Sequence, residues 1–163
     1  IDKNLELIME LNPAVLEKDI YWNCKIKVNV IEKDVFDKGE RAILNFGHTF
    51  GHAIESFYLY KYKHGECVAL GILGACFIAQ GLGIITQSAV EKICNLLKKM
   101  GILRDISDCD KRKVINIMMH DKKKSSKNFT FILPTAIGRV RKYEIDNIEF
   151  IEKALHYIMN ITN

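Results

Sequence analysis

Two Gly-His pairs in close succession are the feature that most constrains how this chain folds. The segment reads Gly47-His48-Thr49-Phe50-Gly51-His52, within a run that is apolar at helical spacing from about Leu44 to Phe57. Histidines four residues apart lie on one face of a helix, about one turn from each other. Glycine costs roughly 1 kcal/mol in a helix interior. Two glycines in one turn therefore indicate that a ligand or another helix packs close to this backbone.

A third histidine follows the pair after a short aromatic and lysine-rich loop. His64 begins the sequence His64-Gly65-Glu66, and a loop of this length can return its imidazole to the face that carries His48 and His52. Neutral imidazole is the commonest protein ligand for zinc, and a catalytic zinc site uses three protein ligands. The pattern predicts a metal site made by all three histidines. The alternative that it leaves open is a pair of hydrogen-bonded core histidines.

The rest of the chain predicts a mainly α fold: one multihelical domain over residues 1–163, with one small β-hairpin near the C-terminus. Apolar residues recur at helical spacing in most of the sequence, and they alternate only late in the chain. Ser88 is the predicted N-cap of one helix, with Glu91 completing a capping box. The predicted helices cover 3–11, Pro13–Asp34, Leu44–Phe57, Gly65–Gly81, Ser88–Met100, Asp110–His120 and Asn147–Met159, and the hairpin pairs Phe129–Leu133 with Gly138–Ile145.

Composition excludes several classes of protein. With 48% hydrophobic residues and a net charge of +4, the chain is neither a disordered tail nor basic enough to indicate a nucleic-acid partner. Glycines interrupt the apolar run from Val68 to Ile85, which predicts a buried core helix and no membrane span. The five cysteines form no CxxC pair, so we expect reduced thiols and a cytoplasmic protein.

Three stretches resemble 3-dehydroquinate synthase, in the family's order. They are Leu44-Asn45-Phe46-Gly47-His48-Thr49-Phe50-Gly51-His52-Ala53-Ile54-Glu55, then His64-Gly65-Glu66, and then Asp121-Lys122-Lys123 with Phe131-Ile132-Leu133-Pro134. The resemblance covers the family's helical C-terminal domain. It implies that the NAD-binding α/β domain belongs to a longer parent, and that the isolated fragment is inactive. The implied reaction converts 3-deoxy-D-arabino-heptulosonate 7-phosphate into 3-dehydroquinate and phosphate in the shikimate pathway.

The resemblance also implies a role for particular residues. His48 and His64 take the positions of metal ligands for Zn²⁺ or Co²⁺, with a glutamate upstream of Ile1 as the third ligand. His52 becomes an acid/base or phosphate-contacting residue and not a ligand, in place of a site made by all three histidines. Asp37 stands where the family has a glutamate that accepts a proton. The implied partners are an anionic sugar phosphate and, in the full-length enzyme, a second copy in a homodimer. The implied substrate-binding residues are Lys27, Arg41, Asn45, Lys122 and Lys123, of which Arg41 and Asn45 are expected to lie one helical turn apart.

Other functions fit parts of the pattern. A related sugar-phosphate cyclase that makes an aminoglycoside precursor keeps the metal site and alters the residues that bind the substrate carboxylate. Metal-dependent alcohol dehydrogenases of the glycerol type share the architecture but lack the anion-binding lysines and the Leu-Asn-Phe-Gly-His run. The non-enzyme alternative is a stand-alone metal-binding helical module.

Overall fold

A computed structural model describes residues 1–36, 39–120 and 128–162, with the backbone alone at Glu40. The chain divides into two compact units, residues 1–44 and residues 45–163. Three residues with expected roles, Asp37, Lys122 and Lys123, lie outside the described residues.

The first unit is built from two helices. A 3₁₀ turn at Asp2–Asn4 leads into α1 (Leu5–Met9), and α2 spans Pro13–Lys33. The Asn12 side chain accepts a hydrogen bond from the Val15 amide at 3.3 Å, and proline at the first helical position needs no such partner. The predicted helix from Pro13 to Asp34 is therefore confirmed to within one residue. No residue of α2 is buried.

Asp34 organises the chain after α2. Its side chain is buried, and one carboxylate oxygen accepts hydrogen bonds from the Gly39 amide at 2.9 Å and the Arg41 amide at 3.0 Å. Burial of a carboxylate is costly unless donors reach it, and these two amides are such donors. The bonds fix the start of a 3₁₀ helix over Glu40–Asn45.

In the described part of the second unit, five α-helices and a hairpin pack around one core. Its strands pair antiparallel from Phe129 opposite Ile145 to Ala136 opposite Arg139, with a register shift between Pro134 and Ala136. The prediction of a mainly α fold with one late hairpin is confirmed. The elements are α3 (His48–Phe57), α4 (His64–Gly81), α5 (Gln87–Lys99), α6 (Lys111–His120), β1 (Phe129–Ala136), β2 (Arg139–Ile145) and α7 (Ile148–Ile161).

Helix α4 is the centre of this unit. It packs against α3, α5, α7 and β1, and ten of its residues are buried. Among the described residues it is the one helix long and apolar enough, by length and composition, to cross a membrane, and 61% of that stretch is buried inside the fold. This burial confirms the predicted core helix.

Two helix starts differ from the sequence prediction. The histidine helix begins at His48, not at Leu44, because Gly47 adopts a left-handed φ of 80° and separates α3 from the 3₁₀ helix before it. The N-cap of α5 is Thr86, whose hydroxyl accepts from the Ala89 amide at 3.3 Å. Ser88 lies inside the helix, and Glu91 bonds the Gln87 side chain at 2.8 Å in place of a capping-box contact.

Candidate metal centre

Helix α4 is the element that packs against the two Gly-His pairs. A Cβ added to Gly71 of α4 would lie 1.8 Å from the Gly47 carbonyl oxygen, and one added to Gly51 would lie 3.1 Å from the Val68 Cα. Side chains larger than hydrogen at these points would push the helices apart. The glycines thus bring the backbones of α3 and α4 into contact. Of the two partners that the sequence allowed for this backbone, a ligand or another helix, the structure shows a helix.

This close contact gathers the three histidines of the motif. The ring centroids of His48 and His52 are 5.2 Å apart, those of His48 and His64 are 5.2 Å apart, and those of His52 and His64 are 5.5 Å apart. One ligand nitrogen from each ring lies within 4.8 Å of the others. His48 is half-buried, and the other two side chains are exposed. The predicted clustering of His64 with the pair is confirmed.

The Nδ1 atom of His48 already has a partner. It lies 3.1 Å from the Phe46 carbonyl oxygen, which only accepts, so Nδ1 carries the hydrogen and Nε2 is left with a free lone pair. Burial lowers the pKa of His48, and the hydrogen bond to Phe46 opposes this shift. The neutral ring, which is the form that binds metals, is therefore favoured.

His64 has a partner of the same kind on α3. Its Nδ1 lies 3.3 Å from the Oε2 atom of Glu55, three residues beyond His52 on the same helix. The Glu55 side chain is 16% exposed, so it is the more buried partner of this contact. Sequence reasoning assigned no role to Glu55. Its spacing of seven residues from His48, two helical turns, was the available signal.

The first turn of α4, which presents His64, is held by a residue from a distant loop. Glu66 accepts from the Lys63 amide at 2.8 Å through one oxygen and from the Arg104 guanidinium at 2.6 Å through the other. These bonds, that from Arg104 foremost, hold the pKa of Glu66 below its usual value. No local pattern in the sequence pointed to Arg104, because the pairing joins residues 38 positions apart.

Two tyrosines anchor the loop before His64 to the same region. The Tyr58 hydroxyl donates to the Asp108 carboxylate at 2.5 Å, and the Tyr62 hydroxyl donates to the Asp105 carbonyl at 3.0 Å. The two rings pack with centroids 4.8 Å apart. The aromatic segment before His64 is a loop, as predicted, and hydrogen bonds from Tyr58 and Tyr62 fix it to the segment that contains Asp105 and Asp108.

The three rings suit a zinc or cobalt ion. Imidazole nitrogen is a preferred ligand of both metals, and a tetrahedral zinc with Zn–N bonds of about 2.0–2.1 Å keeps its ligand nitrogens about 3.3 Å apart. The nitrogens here lie within 4.8 Å of one another, and the exposed side chains of His52 and His64 have room to close that distance by rotation. The Nδ1 contacts of His48 and His64 are the outer partners that metal-binding histidines ordinarily have.

The expected anion-binding residues are placed as follows. Lys27 is exposed on α2, and Arg41 is partly buried on the 3₁₀ helix; both belong to the first unit. Asn45 is exposed and precedes His48 in the second unit. The expectation that Arg41 and Asn45 lie one helical turn apart is wrong, because a 3₁₀ helix has three residues per turn and positions four apart differ by roughly 120°.

An apolar cleft of about 220 Å³ lies at the hairpin turn of the second unit. Its walls come from Phe46, Ile93, Pro134 and the stretch from Ala136 to Val140, and none of the three histidines lines it. This cleft is therefore separate from the histidine cluster.

Comparison with known proteins gives a family and a set of relatives. Residues 1–124 match the family described as 3-dehydroquinate synthase C-terminal. The chain is 42% identical over 156 residues to the 3-dehydroquinate synthase of Acetivibrio thermocellus, a match that covers 95% of this chain and 43% of the relative. It is 37% identical over 160 residues to that of Ruminiclostridium cellulolyticum, covering 98% of this chain and 45% of the relative. The chain thus spans less than half the length of these relatives.

Solved structures of two cyclases share the fold. A 2-deoxy-scyllo-inosose synthase complexed with carbaglucose-6-phosphate, NAD⁺ and Co²⁺ superposes with a TM-score of 0.79 at 27% identity, over 88% of this chain and 42% of the other. The 2-epi-5-epi-valiolone synthase of Streptomyces hygroscopicus, with NAD⁺ and Zn²⁺ bound, reaches a TM-score of 0.82 at 16% identity, over 96% of this chain and 44% of the other. At that identity the second likeness shows the fold alone.

Proposed function

Because this chain belongs to the family of 3-dehydroquinate synthase C-terminal domains, we propose that it is the metal- and substrate-binding part of a 3-dehydroquinate synthase. The proposed reaction converts 3-deoxy-D-arabino-heptulosonate 7-phosphate into 3-dehydroquinate and phosphate. The observation that carries the proposal is the cluster of His48, His52 and His64 on glycine-packed helices, with ligand nitrogens within 4.8 Å. The curated relatives at 37–42% identity support the same choice of substrate.

In this proposal His48 and His64 hold the metal. Both have Nδ1 engaged and Nε2 free, which is the arrangement that ligation through Nε2 needs. A bound zinc or cobalt ion supplies Lewis-acid chemistry toward a substrate hydroxyl, and NAD, held mainly by the N-terminal domain of the full-length enzyme, supplies the transient oxidation.

His52 takes the acid/base role. Among the described residues its ring has no hydrogen-bond partner in another side chain or carbonyl, and the side chain is exposed beside the other two rings. A neutral imidazole there can accept a proton from the substrate and return it. Asp37 stands in the family position of a proton acceptor, and in this proposal it is a second residue that accepts a proton.

In this proposal the basic and amide side chains bind the anionic groups of the substrate, its carboxylate and its phosphate. Arg41 suits a carboxylate or phosphate because its guanidinium fork binds two oxygens at once, and Lys27, Lys122 and Lys123 add point charges. Asn45 completes the set. These roles rest on the family resemblance, as does a homodimer in the full-length enzyme, and a cytoplasmic location rests on the cysteine pattern as well.

Substitution of the histidines in the full-length enzyme separates metal binding from acid/base chemistry. His48→Ala and His64→Ala should each lose stoichiometric zinc, measured by elemental analysis after dialysis. His52→Ala should keep the metal and lower kcat by about 10²- to 10⁴-fold, the usual contribution of a positioned acid/base residue. Zinc retained at full occupancy in either of the first two variants would remove that histidine from the ligand set.

A second reaction is favoured by one observation, the likeness at 27% identity to 2-deoxy-scyllo-inosose synthase. That cyclase is complexed with a carbocyclic analogue of glucose 6-phosphate. Phosphate release by the full-length enzyme from glucose 6-phosphate, compared with release from the heptulosonate phosphate, distinguishes the two. We expect turnover with the heptulosonate phosphate only.

A further inference from the structure

Glu55 lies where it can govern the orientation of one of the proposed ligands. It lies on the same helix, α3, as His48 and His52, and its Oε2 atom is 3.3 Å from Nδ1 of His64. The two residues come from different helices, so this contact crosses the junction of α3 and α4 within the second unit.

The two side chains differ in solvent exposure, and the more exposed one, His64, depends more on the contact for its orientation. The His64 side chain is 52% exposed, whereas that of Glu55 is 16% exposed. The His64 ring lies beside the His48 and His52 rings, and its solvent-exposed half leaves its rotation for the Glu55 contact to fix. In contrast, the carboxylate is held on a helix whose other side is buried against the core. The fixed partner is therefore Glu55, and the ring it orients is His64.

The chemistry of the pair fixes the tautomer as well as the rotation. An ionised carboxylate only accepts hydrogen bonds, so a neutral His64 beside it carries its hydrogen on Nδ1 and keeps the Nε2 lone pair free. His48 reaches the same tautomer through the Phe46 carbonyl. Glu55 thus does with a side chain what the backbone does for the other ligand.

We propose that Glu55 is a positioning residue for the metal centre, which orients His64 and sets its tautomer so that Nε2 is the ligating nitrogen. The inference rests on the proposed function in that it assigns His64 to a metal. A carboxylate bonded to a ligating histidine also raises the basicity of the ring, and loss of such a partner costs about 10- to 100-fold in metal affinity.

The first test uses the metal-free chain and needs no activity. Long-range ¹H–¹⁵N correlation spectra report which ring nitrogen of His64 is protonated. We expect the Nδ1–H form in the unsubstituted chain and a shift toward the Nε2–H form in Glu55→Gln, because an amide NH₂ can turn and donate to Nδ1. A His64 ring already in the Nε2–H form in the unsubstituted protein would overturn the inference, whether or not any variant folds.

The second test measures zinc affinity by competition with a chromophoric chelator. Glu55→Gln should weaken zinc binding about 10- to 100-fold. The matched control is Glu91→Gln, which removes the same charge on α5, where the carboxylate bonds the Gln87 side chain, and leaves the Glu55 contact in place. The control should keep the Nδ1–H tautomer and lose less affinity.

The outcomes separate this inference from the proposed function. Failure of the unsubstituted chain to bind zinc, with the His64 tautomer as expected, would count against the metal site and leave the positioning contact standing. Glu55→Gln with unchanged tautomer and unchanged zinc affinity, at lower thermal stability, would show that the contact only ties α3 to α4, and the inference would be wrong.

Discussion

The two oxygens of Glu66 show how one side chain fixes the start of a helix. They accept from the Lys63 amide and from the Arg104 guanidinium, and both bonds favour the ionised carboxylate. A negative charge in the first turn also interacts well with the positive end of the helix dipole. His64, the first residue of α4, inherits its position from this arrangement.

A pH dependence follows from the low pKa of Glu66. Because the folded pKa lies below the unfolded one, the bonds to Arg104 and Lys63 stabilise the fold above the ordinary carboxyl pKa, near 4.5. That contribution is lost as the pH falls through the folded pKa. Glu66→Gln should therefore reduce stability at neutral pH and flatten the loss in acid, measured as the urea midpoint across pH.

Arg104→Ala supplies the matched comparison, since it removes the principal cause of the shift and leaves the Lys63 bond. The double variant should be little worse than Glu66→Gln alone. If the urea midpoint of Glu66→Gln fell with pH as steeply as that of the unsubstituted chain, other carboxylates would be responsible for the loss of stability in acid.

Individual site residues were predictable from the sequence only where the signal is local. The i, i+4 histidines and the return of His64 follow from spacing. Arg104 does not, because no pattern within a helix encodes a partner in a remote loop. On propensity Ser88 is the better N-cap residue, and the tertiary path of the chain, which propensity does not describe, gives the role to Thr86.

At the scale of helices, hydropathy at the helical period located every α-helix of the second unit to within a few residues. The start of α3 was misplaced because the apolar pattern continues through Gly47, and hydropathy carries no information about the sign of φ. The left-handed Gly47 and the contact with Gly71 are properties of a pair of helices, and neither helix shows them alone.

The Gly47–Gly71 contact leaves no room for a side chain at Gly71. Gly71→Ala places a methyl group 1.8 Å from the Gly47 carbonyl oxygen, so the helices must separate. We expect a loss of about 1–3 kcal/mol in unfolding free energy, typical of overpacking, or more if the helices resist separation. Urea denaturation measures this loss, and zinc titration should show weaker binding because the histidines separate with their helices.

Gly65→Ala is the control, since nothing lies within 4 Å of a Cβ added there. It belongs to the same helix and should be neutral or slightly stabilising, as alanine is the better helix former. Equal stability of the two variants would mean that α3 and α4 adjust to the extra methyl without cost.

For the molecule as a whole, the distribution of thiols agrees with the predicted reduced cysteines. All five cysteines lie in the described residues and are free, and four are buried. Burial raises the pKa of Cys67 to about 11 and those of Cys76 and Cys109 to about 12, so these thiols stay protonated and unreactive near neutral pH.

We predict that the chain of 163 residues folds and does not turn over substrate. The second unit has a continuous core, which should give a cooperative thermal transition by calorimetry. No Gly-x-Gly-x-x-Gly fingerprint occurs in the sequence, so NAD should not bind productively. Phosphate release should stay at background with substrate, NAD⁺ and zinc supplied.

The whole enzyme of Acetivibrio thermocellus, assayed in parallel, supplies the positive control. Turnover by the 163-residue chain alone would mean that its own residues hold the dinucleotide. A non-cooperative melt would mean that the helical part requires further protein in order to fold.

The hydrogen bond that joins Thr49 to the hairpin has a consequence for synthesis on the ribosome. The Thr49 hydroxyl, next to His48, donates at 2.9 Å to the carbonyl of Thr130, 81 positions later. Phe131 and Ile158, which bury the same helices, also come late in the chain. All three site histidines therefore leave the exit tunnel before the hairpin and α7 residues that pack on their helices exist. A nascent chain carries these histidines, without that packing, for as long as translation takes to reach α7.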